Sequence, residues 1–331
     1  MSSLAEGEKM SRFTFNLKRK AIASLLILAV IFSLSLTSCN EVKSPENENS
    51  VVFTDALGRT VKIKKKVERV AALLGSFADV WTLAGGELCA SAEDAWEDFG
   101  LSLDGAVNIG GAHSPSLELL LSSAPELVIA SASTASNVEM KDTLVAAGIT
   151  VAYFDIDCFE DYLFMLDICT DVTGRKDLYE KNGLILKAQI EEIKAEYKNK
   201  DIPDSERKIL LLRASSTGVK AKGSRGTILG EMLADMGCIN IADSSSTILE
   251  NLSIESIIMN EPHHIFVVAM GNNEDAAWAS INNMIEENPA WQTLTAIKEN
   301  RLHVMDKKLF NLKPNSRYPE AYRKLYEELE K

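Results

Sequence analysis

The chain has 331 residues, of which 46% are hydrophobic and 25% are charged, and its formal net charge is −13. This composition is that of a folded globular protein, and it excludes a disordered chain, a collagen-like fibre and a disulfide-dense miniprotein. The acidic balance argues against a general nucleic-acid binder, because such a protein needs a basic surface to meet phosphates. A chain of this length is expected to form two lobes or domains.

The first 38 residues have the pattern of an export signal. Basic residues precede 21–36, an uncharged run of 16 residues that is shorter than the roughly 20 needed to span a bilayer as a helix. The residues LTSC follow and resemble a bacterial lipobox, in which the cysteine, here Cys39, is diacylated. We therefore predict a signal peptide over 1–38 and lipid attachment at Cys39, which would anchor the protein outside the cytoplasm on the bacterial cell membrane. The alternatives are a transmembrane anchor with a chance cysteine and a translation start at Met10.

Residues 39–50 are almost entirely polar, and we predict that they form a flexible tether. Four cysteines come after the tether: Cys89, Cys158, Cys169 and Cys238. No two of them have the C-x-x-C spacing of zinc and redox motifs. We expect buried free thiols, although export would permit a disulfide.

One segment of the chain is repeated. SLELLLSSAPELVIA at 116–130 aligns without gaps with SIESIIMNEPHHIFVV at 253–268, and in both copies glutamate follows serine by two residues and proline follows it by nine. The pattern predicts a short helix capped by serine, a stop at proline and a buried strand. Two copies of one such unit indicate two similar α/β lobes.

Strands and helices alternate through the rest of the chain. The predicted strands are 67–74, 107–109, 126–130, 150–154, 208–213, 265–268 and 301–305, and predicted helices include 137–147 and 318–331. This alternation indicates parallel sheets, and helical apolar spacing over 174–200 predicts one long helix. The predicted fold is therefore α/β, with two Rossmann-like lobes at 51–173 and 201–331 that are joined by the long helix and enclose a ligand cleft.

Several motifs, taken in order, resemble the class III (helical-backbone) substrate-binding proteins of ABC importers, which carry iron-siderophores, haem and cobalamin. FTDALGRTVKI resembles the opening hairpin of that family, and NPAWQTLTAIKENRLHVM resembles a late N-P-x-W segment. SPSLELLLSSAPELVIA resembles a third segment, with Glu126 in place of the usual aspartate. The resemblance implies a monomeric binding protein without an intrinsic cofactor. Its partners would be a permease dimer with a cytoplasmic ATPase, and its cargo an iron chelate or haem.

The repeated glutamates, Glu118 and Glu255, match the two positions at which the family docks on arginine pockets of the permease. Both lie in the first turn of a predicted helix at equivalent places in the two lobes, and a dimeric permease offers two equivalent sockets. The alternative is that each acid only complements the dipole of its helix, an effect of ~0.3–1 kcal/mol.

Ligands of open α/β sheets bind beyond the carboxyl ends of the strands, and the loops there supply the candidate ligand-binding residues. These are Ser76, Phe77, Trp96, His113 and Ser131 in the first lobe, and Arg213, Lys222, Arg225, Met270, Trp278, Lys313, Arg317 and Tyr318 in the second. The basic members all lie in the second lobe, where they could pair with carboxylates or phosphates of a chelate or face solvent. The aromatic members could form walls for a flat or bulky ligand, or be ordinary packing residues.

The chain has four histidines. Imidazole and methionine are axial ligands of haem iron, and some haem-binding members of the family place such ligands in the loops that match His113 and Met270. These two residues are therefore a candidate haem-ligating pair; otherwise His113 is a polar loop residue. His263 and His264 directly precede a predicted strand and are expected to be structural, and His303 lies within one.

The sequence contains no P-loop, nucleophile elbow, zinc-protease or dinucleotide-binding motif. We therefore predict a binding protein, not an enzyme, that captures an iron chelate (siderophore or haem) outside the cytoplasm and delivers it to an ABC permease. Cobalamin is the alternative cargo. Two other classes of function stay open: a membrane-tethered metal chelatase, using His113 and a carboxylate such as Asp155, and a tethered receptor without a permease.

Overall fold

The computed structural model describes residues 49–271 and 273–331, and residues 49–331 cluster as one compact unit. The predicted signal peptide, the lipid attachment at Cys39 and the tether as far as residue 48 lie outside the described residues. Among the described residues, no helix is both long enough and apolar enough to cross a membrane. The first strand begins at Ser50, the last residue of the predicted tether.

A hairpin and a five-stranded parallel sheet build the N-terminal part of the unit. The strands are β1 (Ser50–Thr54) and β2 (Thr60–Lys64) in the hairpin, and β3 (Val70–Ala72), β4 (Ala90–Ser91), β5 (Val107–Asn108), β6 (Leu127–Ser131) and β7 (Thr150–Phe154) in the sheet. The strand order in the sheet is β5-β4-β3-β6-β7. The helices are α1 (Gly75–Leu83), α2 (Asp94–Glu97), α3 (Leu117–Ser122), α4 (Ala135–Glu139) and α5 (Lys141–Ala146). The predicted helix at 137–147 is thus divided at Met140, and the short strand β4 was not predicted.

Helical segments connect this sheet to the second one. Helix α6 (Phe159–Thr173) ends at Gly174, where φ is +75°. Helix α7 (Lys176–Tyr179) then continues through a π-helical turn (Glu180–Leu184) into α8 (Ile185–Lys198). The predicted long helix at 174–200 is therefore present over 176–198, interrupted by the π-helical turn. Gly183 lies in that turn, and a Cβ there would be 3.0 Å from the Leu163 side chain of α6, so glycine permits the close approach of the two helices.

The C-terminal part of the unit is built on a second five-stranded sheet. Its strands are β8 (Lys208–Ser215), β9 (Gly218–Lys222), β10 (Ile239–Asn240), β11 (His264–Ala269) and β12 (Leu302–Met305). The order β10-β8-β11-β12 is parallel, and β9 pairs antiparallel with β8. Its helices are α9 (Ile228–Asp235), α10 (Ser246–Asn251), α11 (Ile254–Asn260), α12 (Glu274–Glu287), α13 (Thr295–Lys298), α14 (Lys307–Phe310) and α15 (Tyr318–Leu329). We call the two sheets with their flanking elements the N-lobe and the C-lobe; the exact boundaries at 173 and 201 stay predictions.

One hydrophobic core runs through both lobes. Leu127 and Phe154 contribute to it from one face of the first sheet, and Leu211 and Phe266 contribute from one face of the second. Side chains of α6, α8 and α15 fill the space between them, while the opposite face of each sheet packs in a separate core. The shared core explains why the described residues cluster as one unit. The α/β fold predicted from the sequence is confirmed.

The repeated segment occupies the same place in both sheets. Helix α3 leads into β6, which lies between β3 and β7. Helix α11 leads into β11, which lies between β8 and β12. Ser116 and Ser253 cap the two helices by accepting a hydrogen bond from the backbone N–H three residues later. Ala124 and Glu261, directly before the proline in each copy, both adopt left-handed φ angles, 45° and 46°. The two copies of the segment therefore share their helix cap, their backbone turn before proline and their place in the sheet.

Candidate functional site

Strand ends of the two lobes border one charged region. Asp155 and Asp157 follow β7 of the N-lobe, whereas Arg213 lies near the end of β8 and Lys313 precedes α15. Asp157 interacts electrostatically with both Arg213 and Lys313, and Asp155 interacts with Lys313. Arg213 and Lys222 of β9 repel one another, which lowers the pKa of Lys222. We call these five residues the cleft cluster.

The three cations of the cleft cluster, Arg213, Lys222 and Lys313, are partly buried, and no described residue forms an ion pair or a hydrogen bond with their side chains. The Nε atom of Arg213 is buried without a partner. Burial lowers the pKa of all three side chains, and Asp157 opposes this effect at Arg213 and Lys313. Desolvated cations without partners cost free energy, and an anionic ligand would offset that cost.

Asp157 is the acidic counterpart of these cations. Burial raises the pKa of its carboxyl group, Asp155 raises it further, and Lys313 lowers it. The cluster therefore combines three cations with two carboxylates in a partly desolvated setting. An anionic ligand placed among the cations would find strong hydrogen-bond donors and little competition from water.

Asn315 joins the two lobes close to the cluster in sequence. It is fully buried with φ at +52°, and its Nδ2 donates hydrogen bonds of 2.8 Å to the Ser76 carbonyl oxygen and to Asp79 Oδ2. Burial raises the pKa of Asp79, and the hydrogen bond from Asn315 lowers it. Asn315 and Asp79 were not predicted from the sequence, because residues 236 positions apart share no local pattern.

Phe77 and Tyr318 do not line a ligand site. Both side chains are fully buried in the shared core. The Phe77 ring packs edge-on against Phe154 at 6.4 Å between centroids, and the Tyr318 ring packs against Phe159 at 5.1 Å. Their assignment as ligand-facing walls is therefore corrected: α1 and α15 turn these rings towards the core, and helix position alone did not reveal the direction.

The other aromatic and hydroxyl candidates are only partly available. Trp96 is partly buried against the shared core, and Trp278 is partly buried against the separate core of the C-lobe. Ser76 and Ser131 are buried, and the Ser131 hydroxyl lies 3.0 Å from that of Ser133. None of these contacts assigns a ligand role, which stays a prediction for all four candidates.

Two of the predicted basic residues already have acidic partners. Arg225 is exposed and pairs with Glu231 at 2.5 Å. Arg317 is exposed and pairs with Glu320 at 2.8 Å. Arg213 lacks such a partner within the described ranges, so it is better placed than either arginine to bind an anion.

His113 and Met270, the candidate haem-ligating pair, are both exposed. Burial raises the pKa of Asp94, and His113 is among the charges that lower it, which places His113 near α2. In the part of the chain that the structure describes, no group of three or more His, Cys, Asp or Glu side chains could hold a metal ion. Axial ligation by His113 and Met270 stays a prediction.

The remaining histidines lie in the C-lobe. His264 and His303 are buried in β11 and β12, with 2.8 Å between His264 Nδ1 and His303 Nε2. His303 Nδ1 lies 2.7 Å from Glu328 Oε2 of α15. His263 packs edge-on against the ring of His264. These contacts lie within the C-lobe and agree with the structural role expected for His263 and His264.

The four cysteines after the predicted tether are free, as predicted. Cys169 is buried and the other three are partly buried. Burial raises the pKa of Cys158 and of Cys238 to about 12. These thiols are therefore protonated at neutral pH and poor nucleophiles.

Glu118 and Glu255 are both exposed, and each is the second residue of its helix. Glu255 Oε2 accepts a hydrogen bond of 3.1 Å from the Ser253 hydroxyl. The structure thus places the two acids at equivalent positions of α3 and α11. Docking on a permease stays a prediction.

A cavity of about 590 Å³ lies on the C-lobe and was not predicted. It is bordered by the turn between β8 and β9, by α10, by the start of α11 and by α12, and its lining residues include Thr217, Asn251, Ser280, Glu287 and Trp291. Three separate stretches of chain, 216–219, 251–254 and 280–291, create it, so no local sequence pattern could have revealed it. Its lining includes no residue of the cleft cluster.

Comparison with known proteins assigns the chain to a family. Residues 70–309 match the family model described as periplasmic binding protein. The Fe(3+)-citrate-binding protein YfmC of Bacillus subtilis (strain 168) is 25% identical over 307 residues, which cover 89% of this chain and 91% of YfmC. Staphylococcus aureus SirA complexed with staphyloferrin B has a TM-score of 0.66 at 20% identity, covering 85% of this chain and 98% of SirA. Staphylococcus aureus IsdE complexed with heme has a TM-score of 0.65 at 15% identity, covering 80% of this chain and 99% of IsdE. Since the family model spans well over half of the chain, this protein belongs to the periplasmic binding protein family, which consists of binding proteins rather than enzymes.

Proposed function

We propose that this protein is an extracytoplasmic lipoprotein that captures an anionic iron chelate and delivers it to the permease of an ABC importer. The observation that carries the proposal is the set of partly buried cations in the cleft cluster, Arg213, Lys222 and Lys313, which lack ion pairs within the described residues. Ferric citrate and carboxylate siderophores present carboxylates, which guanidinium and ammonium groups bind with charge-assisted hydrogen bonds. Two relatives support this cargo, since YfmC is named for Fe(3+)-citrate and SirA was solved with staphyloferrin B.

A carboxylate-rich chelate fits the cleft better than haem or cobalamin. A flat macrocycle needs apolar walls, and two of the predicted walls, Phe77 and Tyr318, are buried in the core. The unpaired cations instead favour a compact ligand with several negative charges. Haem and cobalamin are therefore the alternatives that the test must include.

Tryptophan fluorescence of residues 41–331 tests the proposal in titrations with ferric citrate, a ferric carboxylate siderophore, haemin and cobalamin. We expect saturable quenching by a carboxylate chelate. The double variant Arg213→Gln with Lys313→Gln should bind it at least about tenfold more weakly, a loss of about 1.4 kcal/mol. Lys308→Gln removes an exposed lysine of the same lobe and should bind like the wild type.

Three outcomes would contradict the proposed cargo or its site. If the double variant bound the carboxylate chelate as tightly as the wild type, the cleft cluster would not be its binding site. Quenching by haemin alone, with its absorbance signature lost in His113→Ala, would replace the carboxylate chelate with haem ligated by His113. Quenching by none of the compounds would exclude iron chelates and cobalamin together.

For delivery, we propose that Cys39 carries the lipid anchor and that Glu118 and Glu255 contact the permease. The lipobox-like sequence at Cys39 supports the anchor, and the equivalent exposed positions of the two glutamates support the contacts. Glu118→Ala with Glu255→Ala should abolish chelate uptake by cells and leave chelate affinity unchanged. Cys39→Ser should release the protein from the membrane. Normal uptake by the glutamate double variant would contradict the docking role.

A further inference from the structure

The repeated helices α3 and α11 present more than a glutamate. Three residues after each glutamate lies an exposed apolar side chain: Leu121 is 36% exposed and follows Glu118, and Ile258 is 37% exposed and follows Glu255. Helix residues three positions apart are neighbours on one face. Each lobe therefore carries an acid and an apolar side chain next to one another, at the same positions of the duplicated unit.

Both pairs stand on rigid, equivalent supports. Leu120 and Ile257, the residues directly before the two apolar ones, are fully buried and anchor their helices to the lobes. Ala124 and Glu261 then adopt left-handed φ angles of 45° and 46°. Non-glycine residues adopt such angles at a cost, so the surrounding packing must fix the end of each helix. The acid and the apolar side chain are thus held in place rather than carried on a mobile loop.

Single exposed apolar residues are common on protein surfaces and need no explanation. Leu121 and Ile258 differ from that background because they have nearly equal exposure at equivalent positions beside equivalent acids. Leu119, which is 42% exposed, and Met259, which is 85% exposed, enlarge the apolar surface of each helix. The duplicated unit has therefore kept two surface properties in both copies: a negative charge and an apolar neighbour.

We propose that each pair, Glu118 with Leu121 and Glu255 with Ile258, is one composite contact for the permease dimer of the importer. The inference rests on the proposed function, because it needs an importer permease as the partner. In each contact the carboxylate enters a basic socket, and the apolar side chain packs against an apolar wall beside it, which excludes water from the ion pair. A two-fold symmetric partner presents the same surface twice, which matches two chemically equal pairs. A membrane surface is a poorer occupant, since anionic lipids would repel both acids.

The test compares three double variants in the full-length lipoprotein, expressed in place of the wild type in its own cells. They are Leu121→Ser with Ile258→Ser, Glu118→Ala with Glu255→Ala, and the control Val145→Ser with Val304→Ser, which replaces apolar residues that are 53% and 60% exposed, one in each lobe. Affinity for ferric citrate and for the ferric carboxylate siderophore is measured by tryptophan fluorescence, and uptake is measured with radioactive iron supplied as each chelate. We expect affinity within twofold of the wild type in all three variants. Uptake should fall at least about tenfold in the first two and stay unchanged in the control.

Photo-cross-linking identifies the partner directly. With p-benzoylphenylalanine in place of Leu121 or Ile258, both positions should cross-link to the same permease polypeptide, because the two sockets are equivalent. Normal uptake by the Leu121→Ser, Ile258→Ser variant, with uptake lost in the glutamate variant, would overturn the inference and leave the proposed function standing. Cross-links to lipid or to a protein other than the permease would also overturn it. If the wild type neither bound nor took up ferric citrate or the ferric carboxylate siderophore, both the proposed cargo and the inference would be overturned.

Discussion

His264 of β11 and His303 of β12 share a buried hydrogen bond, with 2.8 Å between Nδ1 of the first ring and Nε2 of the second. His303 Nδ1 lies 2.7 Å from Glu328 of α15, and Lys331 pairs with the same glutamate at 2.7 Å. Burial lowers the pKa of His264 to about 3, and it also lowers the pKa of His303. These hydrogen bonds therefore connect β11 and β12 of the second sheet to the last helix, α15, while both imidazoles are neutral.

We expect the free energy of unfolding to fall as the pH drops below about 6.5. His264 takes up a proton near its ordinary pKa of 6.5 in the unfolded chain, but only near pH 3 in the folded chain. The unfolded chain thus binds more protons in this range, and stability that is complete above pH 6.5 is lost progressively towards pH 3. One extra proton gives a limiting slope of about 1.4 kcal/mol per pH unit. Urea unfolding measured from neutral pH down to about pH 4 gives the slope.

The control for this prediction is an exposed histidine. His264→Gln should reduce the slope, because it removes a proton-binding group that the fold keeps neutral. His113→Gln, at an exposed position, is the matched loss of one histidine, and its slope should be steeper than that of His264→Gln. A slope in His264→Gln as steep as that of the wild type would show that other groups govern acid unfolding.

Asn315 should contribute more to stability than a surface asparagine. Asn315→Gly removes both hydrogen bonds to the N-lobe while permitting the φ of +52°. Loss of a hydrogen bond to the buried Asp79 carboxylate and of one to a carbonyl is expected to cost about 2–3 kcal/mol in urea unfolding. Asn283→Ala, at an exposed position, should change stability by less than about 0.5 kcal/mol. A glycine variant as stable as the wild type would mean that the side-chain bonds add nothing.

Local signals explain which elements could be predicted from the sequence. Ser116 and Pro125 mark the start and the stop of one short helix, and both act through their nearest neighbours in the chain. The contact between Asn315 and Asp79 spans 236 positions, so it exists only after the lobes have packed. The π-helical turn that contains Gly183 was also missed, because too few apolar residues precede it to show a shift of the apolar face.

The candidate site shows the same division between local and long-range information. The rule that ligands bind at the carboxyl ends of strands led to Arg213, Lys313 and the loop with Asp157, and the structure brings these three together. The rule cannot tell which way a helical side chain turns, so it wrongly included Phe77 and Tyr318, which are buried in the core. Ion pairing also depends on the folded structure. Only the structure distinguishes Arg225 and Arg317, which pair with acids, from Arg213, which forms no ion pair within the described residues.

Chelate binding should weaken as the ionic strength rises. Arg213, Lys222 and Lys313 attract an anionic ligand through charge, and salt screens that attraction over a Debye length of about 8 Å at physiological ionic strength. We expect the affinity for a ferric carboxylate chelate to fall between low and high sodium chloride. The fall should be smaller in Arg213→Gln with Lys313→Gln and unchanged in Lys308→Gln. Salt-independent binding in the wild type would contradict a site built on these cations.

Glycine at the start of α1 should tolerate a methyl group far less well than glycine in the connecting helix. A Cβ on Gly75 would be 2.5 Å from the backbone nitrogen of Ala95, so α1 and α2 would have to move apart. A Cβ on Gly183 would meet side-chain atoms rather than backbone: Leu163 at 3.0 Å, Leu166 at 3.3 Å and Tyr179 at 3.4 Å. We expect Gly75→Ala to lower the free energy of unfolding by about 1–3 kcal/mol or more. In Gly183→Ala the gain in helix propensity, about 1 kcal/mol, should offset most of the crowding. Urea unfolding of both variants checks this, and equal stabilities would contradict the close approach of α1 to α2.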